Sequence, residues 1–192
     1  MELVLATRNA HKLAEFRRLL GPAGIEIVPL PDEVTLPPED GETFLDNALP
    51  KARTAAAALG RAAIADDSGI EADALGGRPG VRSARYAGEG ATDEANLVKL
   101  IDEAPAGSGL RYVCVLVYVD PAGTERTFTG TCEGAMSAER RGTRGFGYDP
   151  VFLPARRDPA DERTMAELAD DEKDRISHRG DAARQLIAWL QG

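Results

Sequence analysis

Residues Arg111 to Asp120 read RYVCVLVYVD, and no other stretch of the chain constrains the fold as tightly. β-branched and aromatic residues dominate it and apolar groups occupy both faces, a pattern that suits a strand. After Pro121-Ala122-Gly123 the chain resumes alternation from Glu125 to Gly134, which predicts a hairpin. A strand apolar on both faces must be central in a sheet or covered by a partner. Upstream, the patterning predicts strands at Glu2–Ala6 and Ile25–Pro29 and a helix at Asn9–Leu20, with Leu13, Phe16, Leu19 and Leu20 on one face. An alanine-rich helix over Thr43–Leu59, with Pro50 inside it and Gly60 at its end, leads to a short strand at Ala62–Ala65. Glycine and proline mark residues 75–90 as loop, and a helix follows at Thr92–Ile101. Beyond the hairpin come a glycine-rich turn at Gly142–Pro150, a short strand at Val151–Leu153, an acidic stretch from Asp158 to Asp174, and a last helix opened by Ser177. Strands that alternate with helices and then form hairpins give an α/β fold with a mixed central β-sheet flanked by helices.

The chain has 192 residues with a net charge of −9. That length predicts a single domain over residues 1–192, one body with a real core and room for two lobes around a central cleft. Affinity for a nucleic-acid backbone needs clustered lysine and arginine, so this acidic chain is expected to bind no nucleic acid. No apolar run approaches the roughly 18 to 20 residues of a membrane span, and Met1 leads directly into Leu3, Val4 and Leu5. A cytoplasmic protein with no membrane partner is expected. Cys114 and Cys132 lack metal-site spacing and are expected to be buried free thiols.

Four segments carry residues with chemical potential. In Ala6-Thr7-Arg8-Asn9-Ala10-His11-Lys12, a helix N-terminus offers unpaired N–H groups and partial positive charge to phosphate, and Lys12 adds a full charge. The same residues also read as an Asn9 cap with an exposed lysine. Adjacent carboxylates at Asp66 and Asp67 need a cation or donors nearby, which a divalent metal would supply; a plain turn ending at Gly69 is the alternative. In Gly145-Phe146-Gly147-Tyr148-Asp149-Pro150, glycines flank aromatics that offer a face for a base, or the segment is a turn before an edge strand. His178 and Arg179 occupy the first turn of the last helix, where positive charge is disfavoured, so they pair with Asp171, Asp174 or Asp181 or meet a ligand.

In this order the segments resemble the inosine/xanthosine triphosphate pyrophosphatase family, the non-canonical purine nucleoside triphosphate hydrolases. The likeness is carried by LATRNAHKLAEF, DNALPKA, IADDSGIEADALGG, PGVRSARYAG, VCVLVY, GFGYDP and AELADDEKDRISHRG and spans nearly the whole chain. It implies an elongated α/β fold, a homodimer, and magnesium-dependent conversion of ITP, dITP or XTP to the monophosphate and pyrophosphate. By this resemblance Thr7, Arg8, Asn9, Ala10, His11 and Lys12 bind the triphosphate and Lys51 touches phosphate. Asp67 is the proton acceptor and a magnesium ligand, Glu39 the second metal carboxylate, and Ser68 a substrate contact. Phe146, Gly147, Tyr148, Asp149, Lys173, His178 and Arg179 hold the purine, with donors suited to a 6-carbonyl. Two features depart from the family pattern. Arg8 stands where a glycine is common, so it either turns away or adds a phosphate contact, and Pro50 leaves the direction of Lys51 open. A nucleotide-binding module without turnover would share the cationic helix start and the aromatic turn, but not the carboxylates at Glu39, Asp66 and Asp67. A related pyrophosphatase acting on other modified nucleotides would share all of them.

Overall fold

A six-stranded sheet in the order β2-β1-β3-β4-β5-β6 organises the chain. The computed structural model describes residues 1–155 and 160–192, so the acidic stretch expected from Asp158 begins outside the described residues. The strands are β1 (Glu2–Leu5), β2 (Glu26–Pro29), β3 (Ala63–Ala72), β4 (Gly109–Val119), β5 (Glu125–Met136) and β6 (Phe152–Pro154). The helices are α1 (Ala10–Leu20), α2 (Phe44–Leu59), α3 (Asp93–Glu103), α4 (Asp170–Ile176) and α5 (His178–Gln191). Strand β1 runs parallel to β2, with Leu3 opposite Ile27, and parallel to β3, with Leu5 opposite Ile64, whereas β6 runs antiparallel to β5. The sheet is therefore mixed, as the alternation of helices followed by hairpins predicts. Strand β4 lies between β3 and β5, and every residue from Tyr112 to Val119 is buried. Its two apolar faces are covered by its own chain.

The chain divides into two compact units. One comprises Met1–Asp67, Cys114–Gly130 and His178–Gly192; the other comprises Ser68–Val113 and Thr131–Ser177. In the first, Leu3, Leu5, Phe16, Leu20, Ile64, Leu116 and Leu186 form a core. Burying each such side chain contributes about 1.5–3 kcal/mol. Trp189 of α5 packs edge-on against Tyr118, with ring centroids 5.0 Å apart. Helix α5 seats on β5 at Gly130, where a Cβ would lie 2.2 Å from the His178 carbonyl oxygen. In the second unit Ile70, Leu100, Leu110, Tyr112, Tyr148, Phe152 and Met165 form a separate core. Cys114 and Cys132 are free and buried, and burial pushes the Cys114 thiol far above its ordinary range.

Three expectations need correction. Strand β3 does not stop at Ala65 but continues to Ala72, so Asp66 and Asp67 stand inside a strand rather than in a turn. Cations from other elements make that placement tolerable, as described below. The acidic stretch contains helix α4, whose start is held by the Glu172 carboxylate accepting the Ala169 N–H at 2.9 Å. Residues 75–90 include a short 3-10 turn at Gly80–Arg85. Helix α2 runs without interruption through Pro50; the carbonyl deprived of its donor belongs to Asp46, which is exposed to water.

Candidate active site

In the first unit the site grows from the junction of β1 and α1. Asn9 caps α1, its Oδ1 accepting the N–H groups of His11 at 2.9 Å and Lys12 at 3.2 Å, while Thr7 Oγ1 accepts the Asn9 N–H. Thr7 is half-buried, and Arg8, Asn9, Ala10 and His11 are exposed. Lys12 is not a free surface lysine: its Nζ pairs with Asp66 Oδ2 at 2.9 Å. Arg8 turns away from the helix start, its guanidinium donating to the carbonyl oxygens of Leu30, Pro31 and Val34, each at 2.8 Å.

Asp66 and Asp67 are neighbours with opposite surroundings, because successive strand side chains face opposite ways. Asp66 is wholly buried. Burial alone would raise its carboxyl pKa, but the charges of Lys12, Arg179 and Lys51 outweigh it and hold the group well below the ordinary carboxylate range. Asp67 is also buried but receives less compensation. Burial pushes its carboxyl up, the Glu39 charge adds to that rise, and the hydrogen bond from Asn47 with the charges of Lys12 and Lys51 opposes it. Asn47 Nδ2 donates to Asp67 Oδ2 at 2.8 Å, and its Oδ1 accepts the Gly41 N–H at 2.8 Å. One helical turn on, Lys51 is buried and donates to the Asp66 carbonyl at 2.7 Å and to Glu39 Oε1. Pro50 therefore does not divert Lys51 from the carboxylates.

Arg179 is buried at the start of α5, where it pairs with Glu15 at 2.9 Å and with Asp66 at 3.3 Å. These partners replace the Asp171, Asp174 and Asp181 expected from proximity in sequence. His178 is buried beside it. Glu15, Asp66, Asp67 and Glu39 thus face Lys12, Lys51 and Arg179, four carboxylates against three cations. A polyanion meeting this cluster needs a further positive charge. Glu39 and Asp67 are hard oxygen donors, the set that suits magnesium when substrate phosphates complete its coordination, and a cation there would offset the Glu39 repulsion that adds to the burial-driven rise of Asp67. Among the described residues no group of three or more His, Cys, Asp and Glu is gathered as a metal site. The donor set fits an ion shared with substrate and water.

In the second unit, Asp149 organises the glycine-aromatic turn. Its Oδ2 accepts the Phe146 N–H at 3.1 Å and Lys173 Nζ at 2.7 Å, and its Oδ1 accepts the Tyr112 hydroxyl at 3.0 Å. Gly145 has φ +70°, and a Cβ there would lie 2.0 Å from Asp149 Oδ2, so both conformation and space demand glycine. Tyr148 is committed to the core, its hydroxyl donating to the Ser83 carbonyl at 2.7 Å, whereas Phe146 is half-buried with Lys173 Nζ 5.2 Å from its ring centroid. Gly147 is half-buried between them, and Ser68 is half-buried on β3. Sequence reasoning missed Glu15, Asn47 and the scaffold role of Asp66. Asn47 and Lys51, four residues apart on α2, share a helix face, a spacing that could have pointed to Asn47.

The sequence profile of the Ham1 family matches residues 3–189. A dITP/XTP pyrophosphatase of Exiguobacterium sibiricum is 46% identical over 196 residues, spanning 99% of this chain and 97% of its own. One from Symbiobacterium thermophilum is 49% identical over 190 residues, spanning 98% and 94%. Among solved structures, a HAM1 protein from Coxiella burnetii superposes with a TM-score of 0.86 at 39% identity, covering 100% of this chain and 98% of its own. With a profile matched almost end to end and full-length relatives near half identity, the chain belongs to the Ham1 family.

Proposed function

We propose that this chain hydrolyses non-canonical purine nucleoside triphosphates, dITP and XTP among them, to the monophosphate and pyrophosphate. The reading rests most directly on the Asp66-Asp67 pair. One carboxylate is held ionised by three cations, and its neighbour, less compensated for its burial, is aimed by the Asn47 amide and left to act as the base. Water oriented by Asp67 adds to the α-phosphorus as the bond to the bridging oxygen breaks; Asp67 accepts the water proton and pyrophosphate leaves. Asn47 fixes the direction of the Asp67 carboxylate. Lys12 and Lys51 counter charge on the phosphates. Magnesium held by Glu39 and Asp67 would offset the charge that develops on the phosphate oxygens. Phe146 supplies a ring face and Lys173 a donor suited to the 6-carbonyl of hypoxanthine or xanthine, which adenine lacks. We read the protein as a homodimer, an assembly that light scattering would test. Among the described residues no helix is long and apolar enough to cross a membrane, and two buried free thiols suit the cytoplasm.

Pyrophosphate release from ITP, dITP, XTP, GTP, ATP and dUTP, with magnesium and with chelator, tests the reading. Magnesium-dependent release concentrated on ITP, dITP and XTP is expected. Equal turnover of ATP and ITP would contradict the base assignment, and nucleotide binding without turnover would favour a sensing module.

A further inference from the structure

We propose that Arg8 is a positioning residue that straps the Leu30–Val34 segment to the start of α1, thereby fixes the loop carrying Glu39, and does not bind phosphate. Its two terminal guanidinium nitrogens carry four N–H bonds, and the chain already offers them five acceptors. Nη1 donates to the Leu30 carbonyl at 2.8 Å and to Asp32 Oδ1 at 3.3 Å; Nη2 donates to the carbonyls of Pro31 at 2.8 Å, Asp32 at 3.3 Å and Val34 at 2.8 Å. A phosphate could recruit those nitrogens only by breaking these bonds. The Asp32 side chain is fully exposed, so its ion pair adds little, and the carbonyl set carries the attachment. Only a planar, multiply donating group can serve several carbonyls at once, a task a lysine ammonium performs poorly.

The strapped segment matters because of where it leads. Residues 30–42 form no helix or strand, and their far end is held by the Gly41 N–H on Asn47 Oδ1. Between these two attachments stand Pro37 and Pro38, whose fixed φ angles and missing N–H groups make the run stiff and unable to pair with itself. Glu39 follows directly and meets Lys51. Position at the Arg8 end is therefore coupled, through a short run that includes two prolines, to the carboxylate assigned to magnesium. The inference rests on that assignment for its consequence, though not for the strap itself.

Arg8→Lys and Arg8→Met separate a strap from a phosphate ligand. Amide hydrogen exchange of metal-free protein is expected to quicken about tenfold or more at Val34, whose N–H donates to the Pro31 carbonyl at 3.2 Å, and at Gly41, held on Asn47, in both variants, because both lose the carbonyl set that anchors the segment. The magnesium concentration for half-maximal turnover should rise severalfold in both, while KM for XTP at saturating magnesium changes by about twofold or less. Unchanged exchange would overturn the proposal, as would a raised KM in Arg8→Met that Arg8→Lys rescues. Wild-type turnover that needs no magnesium would instead overturn the metal assignment, and the exchange measurement would still decide the strap.

Discussion

Asp66 and Asp67 differ by one position, and their surroundings differ: three cations outweigh burial at the first, while the second is less compensated. The folded pKa of Asp66 is lowered, so the stability it contributes is present above the ordinary carboxylate value of 3.8 and is lost as pH falls toward the lowered value. Asp66→Asn should therefore be less stable than wild type at pH 7 and show a flatter loss of stability on acidification. Urea unfolding of metal-free protein between pH 7 and pH 3 would reveal this; parallel curves for the two proteins would contradict the scaffold role. The partners of Asp66 were not legible in the sequence. Arg179 lies 164 residues from Glu15, and only the folded chain brings the pair together. Lys12 and Asn9 were legible as a helix start because capping is local. What the cap could not disclose was that Lys12 points inward.

At the level of elements, local signals located α1, α2, α3 and the β4-β5 hairpin closely, since each carries its own cap or turn. The capping box of α2, in which Thr43 and Asp46 satisfy each other's backbone N–H groups, lies within four residues of sequence. Strand β3 escaped the same reasoning because two adjacent carboxylates end a strand in most settings, and the cations that permit its continuation come from α1, α2 and α5. The contact between α5 and β5 depends on a missing side chain. Gly130→Ala would place a methyl 2.5 Å from the Ala182 N and closer still to the His178 carbonyl, forcing the start of α5 outward. Overpacking of this kind costs about 1–3 kcal/mol, and the displacement would also loosen Arg179 from Asp66. Denaturant unfolding and steady-state kinetics together check this: lowered stability with reduced kcat is expected, and wild-type values for both would show that the contact is slack.

For the molecule as a whole, a net charge of −9 is compatible with a polyphosphate substrate because lysines and an arginine are concentrated where carboxylates outnumber them by only one. The mixed sheet, the buried thiols and the glycine-aromatic turn were all readable from residues 1–192, and the family assignment followed from motifs distributed along the entire chain. The chain's length left room for two lobes, and it does divide into two units with separate cores; where the boundary falls was not readable, because β3, β4 and β5 contribute residues to both and no linker marks it. Everything proposed for the site turns on Asp67 directing water onto the α-phosphorus of a purine triphosphate. Turnover of XTP in oxygen-18-labelled water tests it most directly. Label is expected in the monophosphate and not in the pyrophosphate, with a fall of about a hundredfold or more in rate for Asp67→Asn and nucleotide binding retained. Label in the pyrophosphate, or comparable turnover by Asp67→Asn, would contradict it.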